Sequence, residues 1–334
     1  MNLADHCKLK KMMNCELKYI NRCRSIAPGR WPNELRRRWR SLGRALLLAT
    51  LCGLRATSAH AGAAPGKMLK VVTKDVGGIT HFYVQNLEAA DVTATFELKM
   101  TNLRCSTNLP FTTTFPGSRT VEAFTLAPIE PKAQWTFSYK DAFTIGNNTA
   151  VHDDHVVYQL PYETGKAFLV TQGYHGTFSH TGPDEYAIDW KMPVGTPVHA
   201  ARGGVVVKAR DDSNVGGPDR KYEDCANCVL IQHPDGTIGI YAHLMKNGCK
   251  VKVGDNVKAG DVIALSGNTG FTSGPHLHFS VFKTKSGKER QSLPLKFQTA
   301  DGVMLALATG QNYKSVPSEV RVATVHAAQH HAVQ

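Results

Sequence analysis

The sequence predicts an all-β protein built from a small antiparallel β-sandwich followed by a glycine-rich antiparallel β domain. Three observations predict this class. Apolar and polar residues alternate with period two in the first half of the chain, turns rich in Gly, Asp and Asn divide the second half into short β-rich runs, and few segments show helical periodicity. The 334 residues are 42% apolar and 20% charged, which is the composition of a globular protein rather than a disordered one.

Residues 1–61 are predicted to be a basic leader that ends in a signal peptide. They carry 13 of the 39 Lys and Arg residues and 3 of the 27 Asp and Glu residues, so +10 of the net charge of +12 lies there. Residues 45–54 form an apolar run, and Ala59-His60-Ala61 offers small residues for cleavage. A run of this length is too short for a bilayer, which takes about 20 residues. We therefore expect an exported protein, periplasmic or secreted, that is cleaved near Ala61.

The charge of the rest of the chain excludes one class of partner. Beyond the leader the net charge is only +2, spread over 273 residues. A protein that binds nucleic acid through its folded part needs a broad basic surface. No nucleic-acid partner is therefore expected, and no transmembrane span is expected after the leader.

Residues 67–155 are predicted to form the sandwich. One face of residues 92–100 carries only apolar side chains: Val92, Ala94, Phe96, Leu98 and Met100. Residues 134–139 alternate in the same way, and residues 79–85 are a third β-rich run. The His-Asp-Asp-His run at residues 152–155 could bind a metal, but its position between the two units favours a solvated linker.

Residues 160–298 are predicted to form the second β domain. Its candidate strands are residues 203–207, 229–233, 237–243, 262–266 and 278–282. From about residue 299 the chain becomes rich in Ala, His and Val, so we expect residues 299–334 to be a flexible tail.

Four cysteines follow the leader, namely Cys105, Cys225, Cys228 and Cys249. The Cys225-x-x-Cys228 pair could indicate structural zinc or thiol redox chemistry. However, the sequence has no second C-x-x-C to complete a zinc site, and the pair precedes a strand-like run instead of opening a helix. In an exported protein we expect a disulfide, with Cys249 joined to Cys225 or Cys228 and an odd thiol left over.

Histidines are concentrated in three patches, at residues 179–190, 240–244 and 274–279. In a strand, His276 and His278 project from the same face, whereas Leu277 turns the other way into a core. A single histidine is more often a packed or exposed residue than a ligand. Three such patches together with Asp189, framed by Gly and Pro, favour a metal site.

These patches resemble the lysostaphin/LytM-type zinc metallopeptidases, which cut peptide cross-links in bacterial peptidoglycan. The resemblance covers about residues 168–283. Its matching segments include Gln172-Gly173 and residues 193–198, 241–244, 266–270 and 274–279. It implies a catalytic β domain with a groove, peptidoglycan peptide stems or bridges as substrate, and one Zn²⁺ per chain.

The resemblance also implies the site residues. The zinc ligands carried over from the family are His180, Asp189 and His278, and the catalytic histidines that do not bind zinc are His243 and His276. The commonest family spacing places three residues between the first His and the Asp, whereas eight intervene here. His175 is the nearest rival of His180 as a ligand. Two acidic residues inside the motif, Asp184 and Glu185, are interpreted as loop carboxylates.

The implied ligand set is that of a catalytic centre. Two imidazoles and one carboxylate leave a fourth zinc position for water, whose pKa zinc lowers to about 7. One of His243 and His276 would accept the proton of that water and pass it to the leaving amine, and the other would hold the oxyanion. The sequence does not decide which histidine has which role.

Two other functions remain as alternatives. The first is a catalytically silent member of the same family that binds peptidoglycan or activates amidases; such proteins typically lack some of the five site positions, all of which are present here. The second is a lipoyl- or biotin-carrier-like module, because residues 253–263 resemble the turn pattern of those domains. The required Lys would be Lys246, but it follows directly after the motif at residues 241–244.

Overall fold

The computed structural model describes residues 22–25 and 68–317, and its regular structure there consists of strands and two short 3-10 helices, Gly182–Asp184 and Arg220–Cys225. The all-β prediction is therefore confirmed. The predicted signal peptide lies outside the described residues, apart from a strand at Arg22–Ser25. In the part of the chain that is described, no helix combines the length and the apolar character needed to cross a membrane.

The first unit is a two-layer antiparallel sandwich. Its strands are β1 (Arg22–Ser25), β2 (Leu69–Val76), β3 (Ile79–Asn86), β4 (Val92–Thr101), β5 (Leu103–Cys105), β6 (Phe111–Phe115), β7 (Thr120–Pro128) and β8 (Thr136–Ile145). One sheet has the order β1-β8-β4-β6 and the other β2-β3-β7-β5. Phe82 and Phe96, one from each sheet, both pack on Phe124, with ring centroids 4.4 and 5.5 Å away. The apolar face predicted for β4 thus fills the space between the sheets.

The second unit is built around one large sheet. Its strands are β9 (Val157–Gln159), β10 (Ala167–Gln172), β11 (Ile188–Lys191), β12 (Pro197–His199), β13 (Gly204–Arg210), β14 (Gly216–Gly217), β15 (Cys228–Gln232), β16 (Ile238–Ala242), β17 (Asn256–Val257), β18 (Val262–Leu265), β19 (Gly270–Phe271), β20 (His276–Ser286), β21 (Glu289–Ser292), β22 (Lys296–Thr299), β23 (Gly302–Met304) and β24 (Asn312–Lys314). The sheet order is β17-β13-β15-β16-β20-β11-β10-β24, and β21 pairs with β20.

The large sheet has one fully apolar face and one mixed face. Trp190, Leu277 and Phe279 lie on the apolar face, where they are at most 1% exposed and form part of the main core. Because side chains alternate along a strand, His276 and His278 lie on the mixed face together with Ser280 and Phe282. Leu277 is buried as the sequence predicts.

The sandwich packs on one end of this mixed face. Ala90 and Ile145 join a buried cluster with Ile240 and Phe282. The Thr284 hydroxyl donates a 2.6 Å hydrogen bond to the carbonyl of Ile145 in the same contact. The two units therefore share a core, and the sandwich covers the end of the sheet that is remote from His276.

The prediction of a flexible tail from residue 299 is wrong for the residues that are described. Strand β24 pairs with β10, and Leu307 and Tyr313 belong to the main core at 2% and 5% exposure. The edge of β10 offers unpaired backbone groups that β24 satisfies. Residues 318–334 lie outside the described part of the chain.

The predicted pairing of Cys249 is also wrong. Cys225 and Cys228 are both disulfide-bonded, whereas Cys249 and Cys105 are free thiols. The reason is that Cys228 and Cys249 contact opposite faces of the large sheet. Cys228 belongs to the cluster on the mixed face, and Cys249 packs against the main core on the opposite face.

Candidate metal centre

Sheet pairing brings the three histidine patches to one place. Asp189 in β11 and His278 in β20 are direct partners in register, and Ala242, which precedes His243, pairs with His278 on its other side. His180 lies in the loop before β11, where its backbone amide donates to the carbonyl of Gly176. The structure thus gathers residues that are up to 98 positions apart in the sequence.

His180, Asp189 and His278 each direct one potential ligand atom at a common point, and these atoms lie within 4.8 Å of one another. Oδ1 of Asp189 is 3.2 Å from Nε2 of His180 and 2.9 Å from Nδ1 of His278. Ligand atoms 2.0–2.1 Å from a tetrahedral ion are about 3.3 Å apart, so this spacing suits zinc. Within the described residues, no other group of three His, Cys, Asp or Glu residues forms such a cluster.

One buried atom points independently to a metal. His180 is fully buried, and its Nε2 makes no hydrogen bond of acceptable geometry. Its Nδ1–H donates to the carbonyl of Gly173 at 2.9 Å, so the lone pair is on Nε2. A buried lone pair without a partner is unfavourable, and a metal ion would satisfy it. The donor set therefore fits the zinc ion that the family resemblance implies.

A residue that the sequence did not single out as functional supports Asp189. Nε2 of Gln172 donates to Oδ2 of Asp189 at 3.2 Å and to the hydroxyl of Ser179 at 2.7 Å. Gln172 faces Asp189 at an irregularity in the pairing of β10 and β11. The only signal in the sequence was the Gln172-Gly173 pair among the segments that resemble the family.

His243 and His276 lie beside the cluster, with ring centroids 4.5 Å apart. Nδ1 of His243 donates to the carbonyl of Thr269 at 2.7 Å, and Nδ1 of His276 donates to the carbonyl of Gly274 at 2.8 Å. These bonds leave Nε2 of both rings as the free nitrogen. Nε2 of His276 is 3.9 Å from Oδ1 of Asp189. His243 has a φ of +64°, a left-handed conformation that is uncommon outside functional sites and turns.

Burial and neighbouring charges shift the ionisation of the site. Burial, together with the neighbouring imidazoles of His276 and His278, lowers the pKa of His243 to about 3. Burial raises the pKa of Asp189, but the close contacts with the imidazoles of His180 and His278 outweigh this and hold it well below its usual value. The cluster therefore contains a carboxylate beside a neutral buried imidazole at neutral pH.

The rival residues lie apart from the cluster. His175 is exposed and packs against the ring edge of Tyr186, 5.1 Å away between centroids. Asp184 forms an ion pair with Arg290 at 2.8 Å, and the backbone carbonyl of Glu185 accepts a hydrogen bond from His175. At the unit boundary, Nδ1 of His152 lies 2.8 Å from Asp154, without the further donors of a metal site.

A groove of about 860 Å³ runs over the site. Asp189, His243, His276 and His278 all line it. One wall carries Phe178, which is stacked on Phe271 with centroids 5.3 Å apart. Towards the sandwich, the lining includes Ile240 and Arg290. An extended peptide can thus pass directly over the clustered histidines.

Comparison with known proteins identifies relatives of part of this chain. The chain is 32% identical over 180 residues to lysostaphin of Staphylococcus staphylolyticus, which covers 54% of the chain and 30% of lysostaphin. It is 42% identical over 93 residues to the peptidoglycan DD-endopeptidase ShyA of Vibrio cholerae, covering 28% of the chain and 19% of ShyA. The solved catalytic domain of lysostaphin from Staphylococcus simulans is 30% identical and covers 38% of this chain and 87% of that one, with a TM-score of 0.27.

These matches concern one part of the chain. The chain spans only about a fifth to a third of the length of the curated relatives it matches. The model of the family described as Peptidase family M23 matches residues 183–291, which contain Asp189, His243, His276 and His278, whereas His180 lies three residues before the match. Residues 183–291 are therefore similar to the domain described as Peptidase family M23.

Proposed function

We propose that the protein is an exported zinc-dependent endopeptidase that hydrolyses peptide bonds of bacterial peptidoglycan. The observation that carries the proposal is the convergence of His180, Asp189 and His278 beside two further histidines on the floor of a groove. The name of ShyA, a peptidoglycan DD-endopeptidase, supports the substrate class.

In this proposal His180, Asp189 and His278 hold one zinc ion. Zinc bound there supplies Lewis-acid chemistry and lowers the pKa of water. Gln172 orients Asp189 through its 3.2 Å hydrogen bond, and the carbonyl of Gly173 fixes the tautomer of His180. The chain thus provides both the ligands and the groups that orient them.

His243 and His276 handle the protons of the reaction. His243 is held neutral by burial, and its free Nε2 is suited to accept a proton from the attacking water. Nε2 of His276 lies 3.9 Å from Oδ1 of Asp189, beside the proposed ligands, and when this nitrogen carries a proton it can donate to the developing oxyanion. The carbonyls of Thr269 and Gly274 keep both rings in these orientations.

The proposal extends to the rest of the chain. Residues 1–61 would direct export and be removed near Ala61, which places the enzyme in the periplasm or outside the cell. Residues 67–155 would form the sandwich domain and residues 160–298 the core of the peptidase domain, to which the described residues after 299 add β23 and β24.

A digest tests the proposal. Zinc-loaded protein comprising residues 62–334 is incubated with purified sacculi, and the released fragments are identified by mass spectrometry. We expect new amine and carboxyl ends at one peptide bond, absent with His243→Ala. Zinc binding at one ion per chain without fragments from any wall type would instead support the silent, peptidoglycan-binding alternative.

A further inference from the structure

The lengthened segment between His180 and Asp189 has a consequence for the groove. Eight residues separate the two, and within them the 3-10 helix Gly182–Asp184 carries Asp184 to the groove wall. There Oδ2 of Asp184 accepts a 2.8 Å hydrogen bond from Nη2 of Arg290, a residue of β21 that lies 106 positions away. The extra residues of the segment thus supply one half of a charged pair in the groove.

This pair is only half satisfied. Nη1 of Arg290 and Oδ1 of Asp184 are both buried and make no hydrogen bond. A guanidinium and a carboxylate commonly pair through two parallel bonds, but here they share one. The pair therefore contains one cationic donor atom and one anionic acceptor atom that make no hydrogen bond. Buried polar atoms without a hydrogen bond are unfavourable, so a ligand that engages both atoms would stabilise the site.

The pair lies on the side of the groove that is nearer to the sandwich. The guanidinium of Arg290 lies over the ring of Phe282, 5.0 Å from its centroid, and Phe282 packs against Ala90 and Ile145 of the sandwich. Phe282 follows His278 by four residues on the same strand, or about 13 Å. Arg290 is therefore offset along β20 from the proposed ligand His278, in the direction of the sandwich.

The turn that carries Asp184 has room to move. Thr181, Gly182 and Pro183 are exposed, and the space around Gly182 is open. A ligand can reach the two unused atoms only if this turn moves outward, because both atoms are buried. Arg290 itself is 15% exposed and is kept in place by Phe282.

We propose that Asp184 and Arg290 form a subsite for a zwitterionic α-amino-acid group on the substrate, its carboxylate bound by Arg290 and its ammonium by Asp184. This rests on the proposed function, and it specifies the substrate as peptidoglycan stems with a side chain that ends in an α-amino acid, as in diaminopimelate. A lysine side chain offers only the ammonium and would use half of the subsite.

Binding of three stem peptides tests the subsite. They differ at one side chain, which is diaminopimelate (both charges), lysine (ammonium only) or 2-aminopimelate (carboxylate only). Affinities for zinc-loaded His243→Ala are measured by titration calorimetry, so that no peptide is cut. We expect the diaminopimelate peptide to bind about tenfold more tightly than the other two, the difference made by one charge-assisted hydrogen bond.

Two further substitutions should each abolish the preference over a different peptide, a result that a general loss of structure would not produce. In the His243→Ala background, Asp184→Asn should bind the diaminopimelate and 2-aminopimelate peptides equally, and Arg290→Gln should bind the diaminopimelate and lysine peptides equally. Arg220→Gln, which removes another groove arginine paired with Glu223, should leave the preference for diaminopimelate in place. Because Asp184 lies in an exposed turn, Asp184→Asn decides the matter if Arg290→Gln does not fold.

The possible results separate the two proposals. Equal binding of the three peptides, or no binding of any, would overturn the subsite. Hydrolysis of the same peptides by the wild-type protein is measured in parallel. If the binding pattern holds and no peptide is cut, the subsite stands and the proposed endopeptidase activity fails.

Discussion

Nδ1 of His278 lies 2.9 Å from Oδ1 of Asp189, across two strands on which these residues are direct register partners. A shift of β11 by one residue would turn Asp189 to the apolar face and bring Trp190 into the groove. The main core opposes this shift, because Trp190 is fully buried against Phe279 and Phe297. The position of the cluster is therefore set by the packing on the other side of the sheet.

The division of roles among the histidines can be tested by metal content. We expect His278→Ala to lose zinc and activity, because one ligand atom is removed, and His243→Ala to keep zinc but lose at least about 100-fold in activity. Zinc is measured by atomic absorption after gel filtration. The exposed His175→Ala serves as a control and should retain both properties. Equal zinc loss in His243→Ala and His278→Ala would contradict the proposed roles.

Gln172 is expected to strengthen metal binding through Asp189. Replacement by Met removes the 3.2 Å hydrogen bond at similar volume, and we expect zinc affinity to fall about 10- to 100-fold. Competition with a chelator of known affinity measures this. Gln298→Met, in β22 and remote from the cluster, is the matched control. An unchanged affinity in Gln172→Met would show that Asp189 does not need this support.

Acid should destabilise the zinc-free protein through a buried histidine outside the site. Burial lowers the pKa of His233 to about 4, although the carbonyl of Gly203 accepts a hydrogen bond from it. Since the folded pKa lies below the unfolded value of about 6.5, the unfolded state binds the proton first. The contribution of His233 to the free energy of unfolding is therefore fully present above pH 6.5. It is lost as the pH drops towards 4, by up to about 3 kcal/mol.

Urea unfolding at pH 7, 6, 5 and 4 measures this loss of stability. His233→Gln removes the titrating group, so its unfolding free energy should depend less steeply on pH than that of the wild type. The exposed His175→Gln should follow the wild-type slope. Parallel slopes in all three proteins would mean that His233 does not titrate between the two states.

The contact between the sandwich and the large sheet should tolerate no added side chain at Gly146. Its φ is +111°, and a Cβ there would lie 2.5 Å from Oγ1 of Thr284, which is held by its own bond to Ile145. Gly165 also has a positive φ, +86°, but a Cβ would meet open space. We expect Gly146→Ala to lose about 1–3 kcal/mol more than Gly165→Ala. Equal losses in thermal unfolding would mean that this contact is loose.

Thiol mapping should find two free cysteines after the leader. Cys105 and Cys249 should react with an alkylating reagent without reduction, and Cys225 and Cys228 only after it. Burial, helped by Asp211, raises the pKa of the Cys249 thiol to about 12, so it should react slowly at pH 8. Peptide mass spectrometry with and without reductant checks this. Alkylation of Cys225 or Cys228 without reduction would count against the disulfides.

Much of the fold was determined by local sequence pattern. The period-two alternation in residues 92–100 predicted the apolar face of β4, and the His-Leu-His order predicted two histidines on one face of β20 with Leu277 in the core. Such patterns predict the buried face because side chains alternate along a strand with a fixed period and one face is buried. The residue types of the site could be read in the same way, from three patches and their resemblance to a family.

Tertiary structure decided which of these residues meet. Asp189 and His278 are 89 positions apart, and Asp184 and Arg290 are 106 positions apart; strand order and register bring each pair together. The same long-range packing placed Cys249 and Cys228 on opposite faces and drew Tyr313 into the core, contrary to expectation. The sequence alone therefore determined which side chains share a strand face, whereas contacts between distant strands depended on how the whole core is filled, which no local period encodes.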